Sequence, residues 1–121
     1  MHLEHVNVTV ADVERSSAFY ADLLDLHIRW KGESADGKRV IHVGDDRSYL
    51  ALFEARKAGQ PVQDYDAVGI NHYGFVVDDL DAALARLRTL GYEPHGEFDY
   101  EPGRRAYFFD PDGLEVELVQ Y

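Results

Sequence analysis

The chain has no cysteine, and only one methionine and one tryptophan among its 121 residues. Without cysteine there is no disulfide, no thiolate nucleophile and no zinc–sulfur centre. Positive charge is scarce: 12 Lys and Arg stand against 23 Asp and Glu, for a net charge of −11. No basic stripe is present to bind a phosphate backbone or an anionic surface, so nucleic acid and membrane are excluded as partners. Long apolar runs are also missing, and none approaches the roughly 20 residues that cross a bilayer. The opening MHLEHVNV lacks the basic and apolar regions of a secretory signal, so a cytoplasmic location is expected. Hydrophobic residues nonetheless make up 45% and charged residues 29%. That balance predicts one soluble domain with a real core. The acidic excess reads as solvated surface, or as attraction for a cationic ligand.

Within this composition the chain repeats itself. HVNVTVADVERSSAFYADLL from His5 lies over HYGFVVDDLDAALARLRTLG from His72, an offset of 67 residues. His5 meets His72, Asp12 meets Asp79 and Leu23 meets Leu90. Each copy runs an alternating apolar strand into an aspartate and then a helical stretch. Asp12 and Asp79 suit the N-cap, where a carboxylate accepts unpaired backbone N–H groups. Leu80, Leu84, Leu87 and Leu90 recur along one helix face. Val13, Tyr20, Leu23 and Leu24 do so less regularly, and Gly91 suits a helix stop. Strands are expected near 26–31, 39–43 and 48–54, and again near 92–98, 104–109 and 114–120. DPDG at 110–113 is a turn signal. The expected fold is α+β, with two βαβββ modules at about 1–56 and 69–121 and a linker at about 57–68.

A second offset, of 66 residues, lays RVIHVGDDRSYLALFE from Arg39 over RAYFFDPDGLEVELVQ from Arg105. It puts Ala51 over Glu117. His5 and His72 are then one position seen twice, on first strands, and Ala51 and Glu117 another, on last strands. Glu115 and Glu117 share a strand face, with Val116 and Leu118 on the other. A carboxylate on a covered face needs a partner. A lone histidine on a strand is ordinarily structural. Two at equivalent places, together with an acid, make the 2-His-1-carboxylate set that holds divalent metal ions. Asp110, Asp112 and Glu115 read instead as a turn and a solvated face. His2, His27, His42 and His95 read as surface or core, and Arg104 and Arg105 as a solvated loop.

The stretches HVNVTVADVERSSAFY, NHYGFVV and YFFDPDGLEVEL resemble the vicinal oxygen chelate superfamily across essentially the whole chain. That superfamily includes glyoxalase I, methylmalonyl-CoA epimerase, extradiol dioxygenases, fosfomycin-modifying enzymes and bleomycin-binding proteins. The resemblance implies a single glyoxalase-like domain whose modules curl mixed sheets around a cleft. It also implies one divalent ion (Fe, Mn, Ni, Co or Zn) held by His5, His72 and Glu117. Homodimers with sites shared between chains are common in the family. Its fourth ligand position falls on Ala51, where glyoxalase I members carry glutamate and epimerases glutamine. Alanine can neither ligate nor take a proton, and Glu54 would need a bulge to replace it.

The fosfomycin-modifying pattern departs at other points. Asn7 stands for its threonine, and Glu97 and Glu101 for the lysine and serine of its potassium loop. Its arginine beyond the last ligand has no counterpart in the four residues after Glu117. Extradiol dioxygenases carry a tyrosine where Tyr107 lies, but their acid–base histidine has no equivalent here. The reading is a divalent-metal enzyme of dioxygenase, lyase or isomerase type. It would act on a small oxygen-bearing substrate, with Tyr107 as a catalytic and binding group and Asn7 as a binding group on the face of His5. The alternatives are a metal-free sequestration protein of the bleomycin-resistance type, for a cationic ligand, and a fosfomycin-modifying transferase.

Overall fold

A computed structural model describes residues 1–121. The elements run β1 (His5–Val10), α1 (Val13–Leu24), β2 (His27–Glu33), β3 (Arg39–Gly44), β4 (Tyr49–Glu54), β5 (His72–Val76), α2 (Leu80–Thr89), β6 (Gly96–Tyr100), β7 (Gly103–Phe109) and β8 (Glu115–Gln120). The chain forms two compact units, Met1–Gly59 and Gln60–Tyr121. Each holds one helix and one four-stranded sheet, ordered β1-β4-β3-β2 in the first and β5-β8-β7-β6 in the second. In both, the first strand pairs parallel with the last and the remaining pairs are antiparallel. The architecture is α+β, βαβββ twice. No helix is long and apolar enough to cross a membrane.

Local chemistry sets both helices. The Asp12 carboxylate accepts from the backbone N–H groups of Glu14 and Arg15, and that of Asp79 from Ala82. These donors have no partner inside their helices. Beyond α2, Gly91 takes φ +95°. Its N–H donates to Arg88 O and the N–H of Tyr92 to Leu87 O. This paired closure favours glycine, because the left-handed backbone costs other residues energy. Asp25 makes the corresponding turn after α1, at φ 53°, a conformation aspartate tolerates better than most side chains.

Alternation then divides each sheet into two faces. In the first unit Val8, Val10, Ile41, Val43, Leu50 and Leu52 are buried with Val13, Phe19, Tyr20 and Leu23 of α1. In the second, Ala106, Phe108, Val116 and Leu118 are buried with Leu80, Leu84 and Leu87 of α2. Leu24 and Leu90, expected on the packed helix faces, are only partly covered. Leu90 caps α2 rather than lying within it.

The register confirms the internal repeat and corrects one part of it. Asn7 lies opposite Ala51 as Gly74 lies opposite Glu117. However, His42 pairs with Ala51, whereas Tyr107 pairs with Glu117. The 66-residue offset therefore holds for the last strands but slips by one residue in β3. The cause is the connection between the final strands: residues 45–48 in the first unit, the longer 110–114 in the second. His42, not Ile41, is the counterpart of Tyr107. The strand expected over 92–98 begins only at Gly96. Pro94 has no N–H to give a ladder, and pairing starts beyond it.

Candidate functional site

In the second unit the sheet face opposite the core carries the polar side chains. Across β5 and β8, His72 lies opposite Glu115 and Gly74 opposite Glu117. Across β7 and β8, Tyr107 lies opposite Glu117. Side chains alternate along a strand, so His72, Tyr107, Glu115 and Glu117 share this face. His72 Nε2 is 3.0 Å from Glu117 Oε2. Arg105 Nη1 donates to Glu117 Oε1 at 3.1 Å. On the other side of its ring, His72 Nδ1 is 3.1 Å from the Tyr65 hydroxyl. That hydroxyl donates to Glu115 Oε1. His95 Nε2 lies 3.0 Å from Glu115 Oε2 and stacks its ring on Phe109 at 4.4 Å. Tyr107 meets His72 edge-on at 5.4 Å.

These contacts change three sequence-based assignments. Glu115 is not on a solvated face: only 6% of its side chain is exposed, against 12% for Glu117. Carboxylates so far from water need donors, and Tyr65, His95 and Arg105 supply them. His95 is therefore a partner of this cluster rather than an isolated surface or core histidine. Arg104 and Arg105 are not in a loop but on β7. Arg104 pairs with Asp81 at 2.9 Å, while Arg105 turns to the polar face, its Nη2 buried without a partner. Asp110 does close the expected turn, its carboxylate accepting from Asp112 and Leu114 backbone N–H groups. A Cβ at Gly74 would meet Glu117 at ordinary contact distance, 3.5 Å from its Cβ and 3.8 Å from Oε2.

The two tyrosines stay phenolic. Hydrogen bonding to Glu115 and, after it, burial push Tyr65 up to about 12. Burial, and then the negative charge of Glu117, raise Tyr107 above its ordinary value, opposed by Arg105. Above pH 10 the unfolded chain releases the Tyr65 proton while the folded chain still holds it, so folding is linked to proton uptake there. Stability is expected to fall as pH rises from about 10 to about 12. Tyr65→Phe should lose less stability over that window, read from urea melts of both proteins at each pH. Equal slopes for the two proteins would contradict the assignment.

In the first unit, His5, Asn7, Tyr49, Ala51 and His42 share the equivalent face. His5 Nδ1 lies 2.8 Å from Glu4 Oε1, and its ring stacks on Tyr49 at 5.0 Å. Tyr49 stacks in turn on His42 at 4.6 Å, with Trp30 5.0 Å beyond. Burial, and next the neighbouring His5 and Arg29, hold His42 below the ordinary imidazole value. Ala51 is buried and offers no donor atom. The β1–β4 register runs without a bulge from Tyr49 to Glu54, so Glu54 faces away from Ala51 and pairs with Arg39 at 3.2 Å. It does not replace a ligand at Ala51.

Of the expected metal ligands, His72 and Glu117 are adjacent in the second unit, and His5 belongs to the first. No group of three or more His, Asp or Glu side chains is gathered as a metal-binding cluster. Tyr107 stands beside His72, and Asn7 is exposed on the face of His5. The sequence reasoning missed Tyr65, His95 and Arg105. Tyr65 lies in the polar linker, where no periodicity marks it. Glu115 had a usable signal in its shared strand parity with Glu117.

His72 and Glu117 bring together an imidazole and a carboxylate, donor types that suit a divalent metal ion, and the 3.0 Å between them is hydrogen-bond distance.

Comparison with known proteins bears on this geometry. Residues 2–118 match the family model of the Glyoxalase/Bleomycin resistance protein/Dioxygenase superfamily. The chain is 30% identical to the uncharacterized protein YaeR of Escherichia coli, over 98% of this chain and 95% of that one. It is 32% identical to the glutathione transferase FosA of Serratia marcescens, over 96% and 78% respectively. A glyoxalase/bleomycin resistance protein/dioxygenase domain from Frankia superposes with a TM-score of 0.83 at 24% identity, over 99% of this chain and 97% of that one. Other relatives include a catechol dioxygenase, a probable lactoylglutathione lyase and an acyl-CoA epimerase. By sequence and by fold, the chain belongs to the glyoxalase/bleomycin resistance protein/dioxygenase superfamily.

Proposed function

We propose that this protein is a divalent-metal-dependent enzyme acting on a small substrate with two neighbouring oxygen atoms. The observation that carries the reading is the placement of His72 Nε2 beside Glu117 Oε2, 3.0 Å apart, with glycine opposite the carboxylate. His72 and Glu117 supply two ligands, and His5 is the candidate for a third. Imidazole and carboxylate donors suit Fe, Mn, Co, Ni or Zn. When bound, the ion supplies Lewis-acid polarisation of the substrate oxygens.

The chain's own groups do the rest. Arg105 holds Glu117 Oε1, leaving Oε2 as the ligating atom. Ala51 adds no fourth ligand, so the substrate's oxygens meet open positions. Tyr107, kept phenolic by burial and the charge of Glu117, donates a hydrogen bond or a proton to the substrate. Asn7 offers an amide on the face of His5. Dioxygenase, lyase and isomerase chemistry all fit this frame.

The test is metal content of untagged protein by elemental mass spectrometry. About one ion per chain is expected. A protein that stays metal-free after incubation with each of the five ions would overturn the reading. One observation favours a second reading, a binder of cationic small molecules. Trp30 is 47% exposed beside His42 and Tyr49, in a chain of net charge −11. On that reading a planar cation quenches Trp30 fluorescence without any metal.

A further inference from the structure

The outer strands of the second unit carry a set of rings that the metal reading leaves without a task. Gly96, Phe98 and Tyr100 of β6 lie opposite Tyr107, Arg105 and Gly103 of β7, and Tyr107 lies opposite Glu117. Phe109 lies opposite Glu115, which lies opposite His72. By alternation these side chains all stand on the polar face. Its rings form an unbroken line. Tyr100 meets Phe98 at 6.0 Å, Phe98 meets Tyr107 at 6.0 Å, Tyr107 meets His95 at 6.2 Å, and His95 stacks on Phe109 at 4.4 Å. The line runs beside the His72–Glu117 pair, because Tyr107 adjoins both. The aliphatic side chains of the face, Val76 and Val119, stand on β5 and β8, away from β6.

Phe98 is 49% exposed, Tyr100 53% and Phe109 44%. Exposed rings gathered around converging polar groups are the makeup of a small-molecule site. Phe98 is also held in place. A Cβ on Gly96 would lie 2.8 Å from its Cε2, so the ring folds back over Gly96, the residue opposite Tyr107. The row Gly96–Tyr107–Glu117–Gly74 has no side chain at either end. A molecule reaching Glu117 along this row rests between Phe98 on one side and His95 with Phe109 on the other. A protein surface laid flat here would instead cover the charges of Glu117 and Arg105, at a desolvation cost.

We infer that the rings of β6 and β7 select substrates whose two neighbouring oxygens are carried on a planar aromatic ring, with Phe98 as a specificity-determining contact. The inference rests on the reading of His72 and Glu117 as the place where those oxygens bind. It names the substrate class and leaves the reaction open. Contact between aromatic rings strengthens binding by about 2- to 10-fold beyond the area it buries, and a saturated ring of the same size gains none of this.

Benzohydroxamate, cyclohexanecarbohydroxamate and acetohydroxamate test this, since each offers the same two neighbouring oxygens on a different body. The first readout needs no metal. NMR of metal-free protein with isotope-labelled phenylalanine follows the 6 Phe signals, and Phe98→Leu and Phe109→Leu assign two of them. Benzohydroxamate should shift both signals, and the saturated ring should shift them less. The second readout is calorimetric titration of Co²⁺-loaded protein. Benzohydroxamate should bind about 2- to 10-fold more tightly than cyclohexanecarbohydroxamate, and acetohydroxamate most weakly. Phe98→Leu keeps apolar area and should erase the preference for the planar ring. Gly96→Ala keeps the ring but displaces it, and should erase the preference as well. Equal binding of the planar and saturated rings would overturn the proposal, as would a preference unmoved by both variants. Phe98 signals that change on dilution of the protein alone would also overturn it, by placing a second copy on the rings. If the protein takes up no Co²⁺, the metal reading fails. The Phe98 shift in metal-free protein then upholds the role of the rings, and its absence overturns it.

Discussion

Replacing His72 with alanine is expected to weaken metal affinity by more than about 100-fold while leaving the fold intact. The basis for the magnitude is that outer partners of a ligand are already worth about 10–100-fold, and a direct ligand is worth more. The fold should survive because β5 is held by its backbone ladder to β8, which the substitution does not touch. His72 is also not part of the buried apolar core. Two measurements check this independently. Elemental analysis should find the ion in the wild type and not in the variant. Thermal melts should show a metal-dependent rise in the wild type only, since an ion at 100 times its dissociation constant stabilises by about 2.7 kcal/mol. Unchanged metal content in the variant would remove His72 from the site.

Phe108→Ala carries the largest expected effect on stability. Phe108 is fully buried and lies opposite Val116 in the β7–β8 pair. Removing its ring discards the transfer energy of a large apolar group and leaves a cavity, together about 3–5 kcal/mol. Natural domains have about 5–15 kcal/mol in all, so the variant should unfold at much lower urea. The midpoint should move with little change in slope. The effect should reach the polar face as well. Phe108 sits between Tyr107 and Phe109 on one strand, so loosening it loosens the residue facing Glu117. A loss below about 1 kcal/mol would mean that the core under α2 closes over the gap.

The order of elements was legible in the sequence because its signals are local. An aspartate before an apolar helix face, a glycine after it and a turn such as DPDG each act within a few residues. Fold class followed from finding that order twice. The pairing of β3 was less legible, since a connection shorter by one residue shifts a strand without changing its apolar pattern. The strand expected near 92–98 starts only at Gly96, because Pro94 has no N–H to give a ladder. At the site, repeat equivalence with His5 singled out His72 and strand parity singled out Glu117, and the two side chains do meet. Tyr65 had no such signal: it stands 50 residues from Glu115, in a segment with no period. Burial of Glu115 is likewise a tertiary property, and its charge alone suggested solvent.

The shared register has a consequence for how such a protein can change over time. Equivalent places hold Tyr49 and Glu115, Ala51 and Glu117, and His42 and Tyr107. One copy of the scaffold thus presents stacked rings, and the other presents ions held by hydrogen bonds. Each copy keeps its own helix and its own buried core. Each sheet, helix and core is complete within its own copy, so the ring-bearing face of one and the ion-bearing face of the other can diverge in sequence on a scaffold that stays the same.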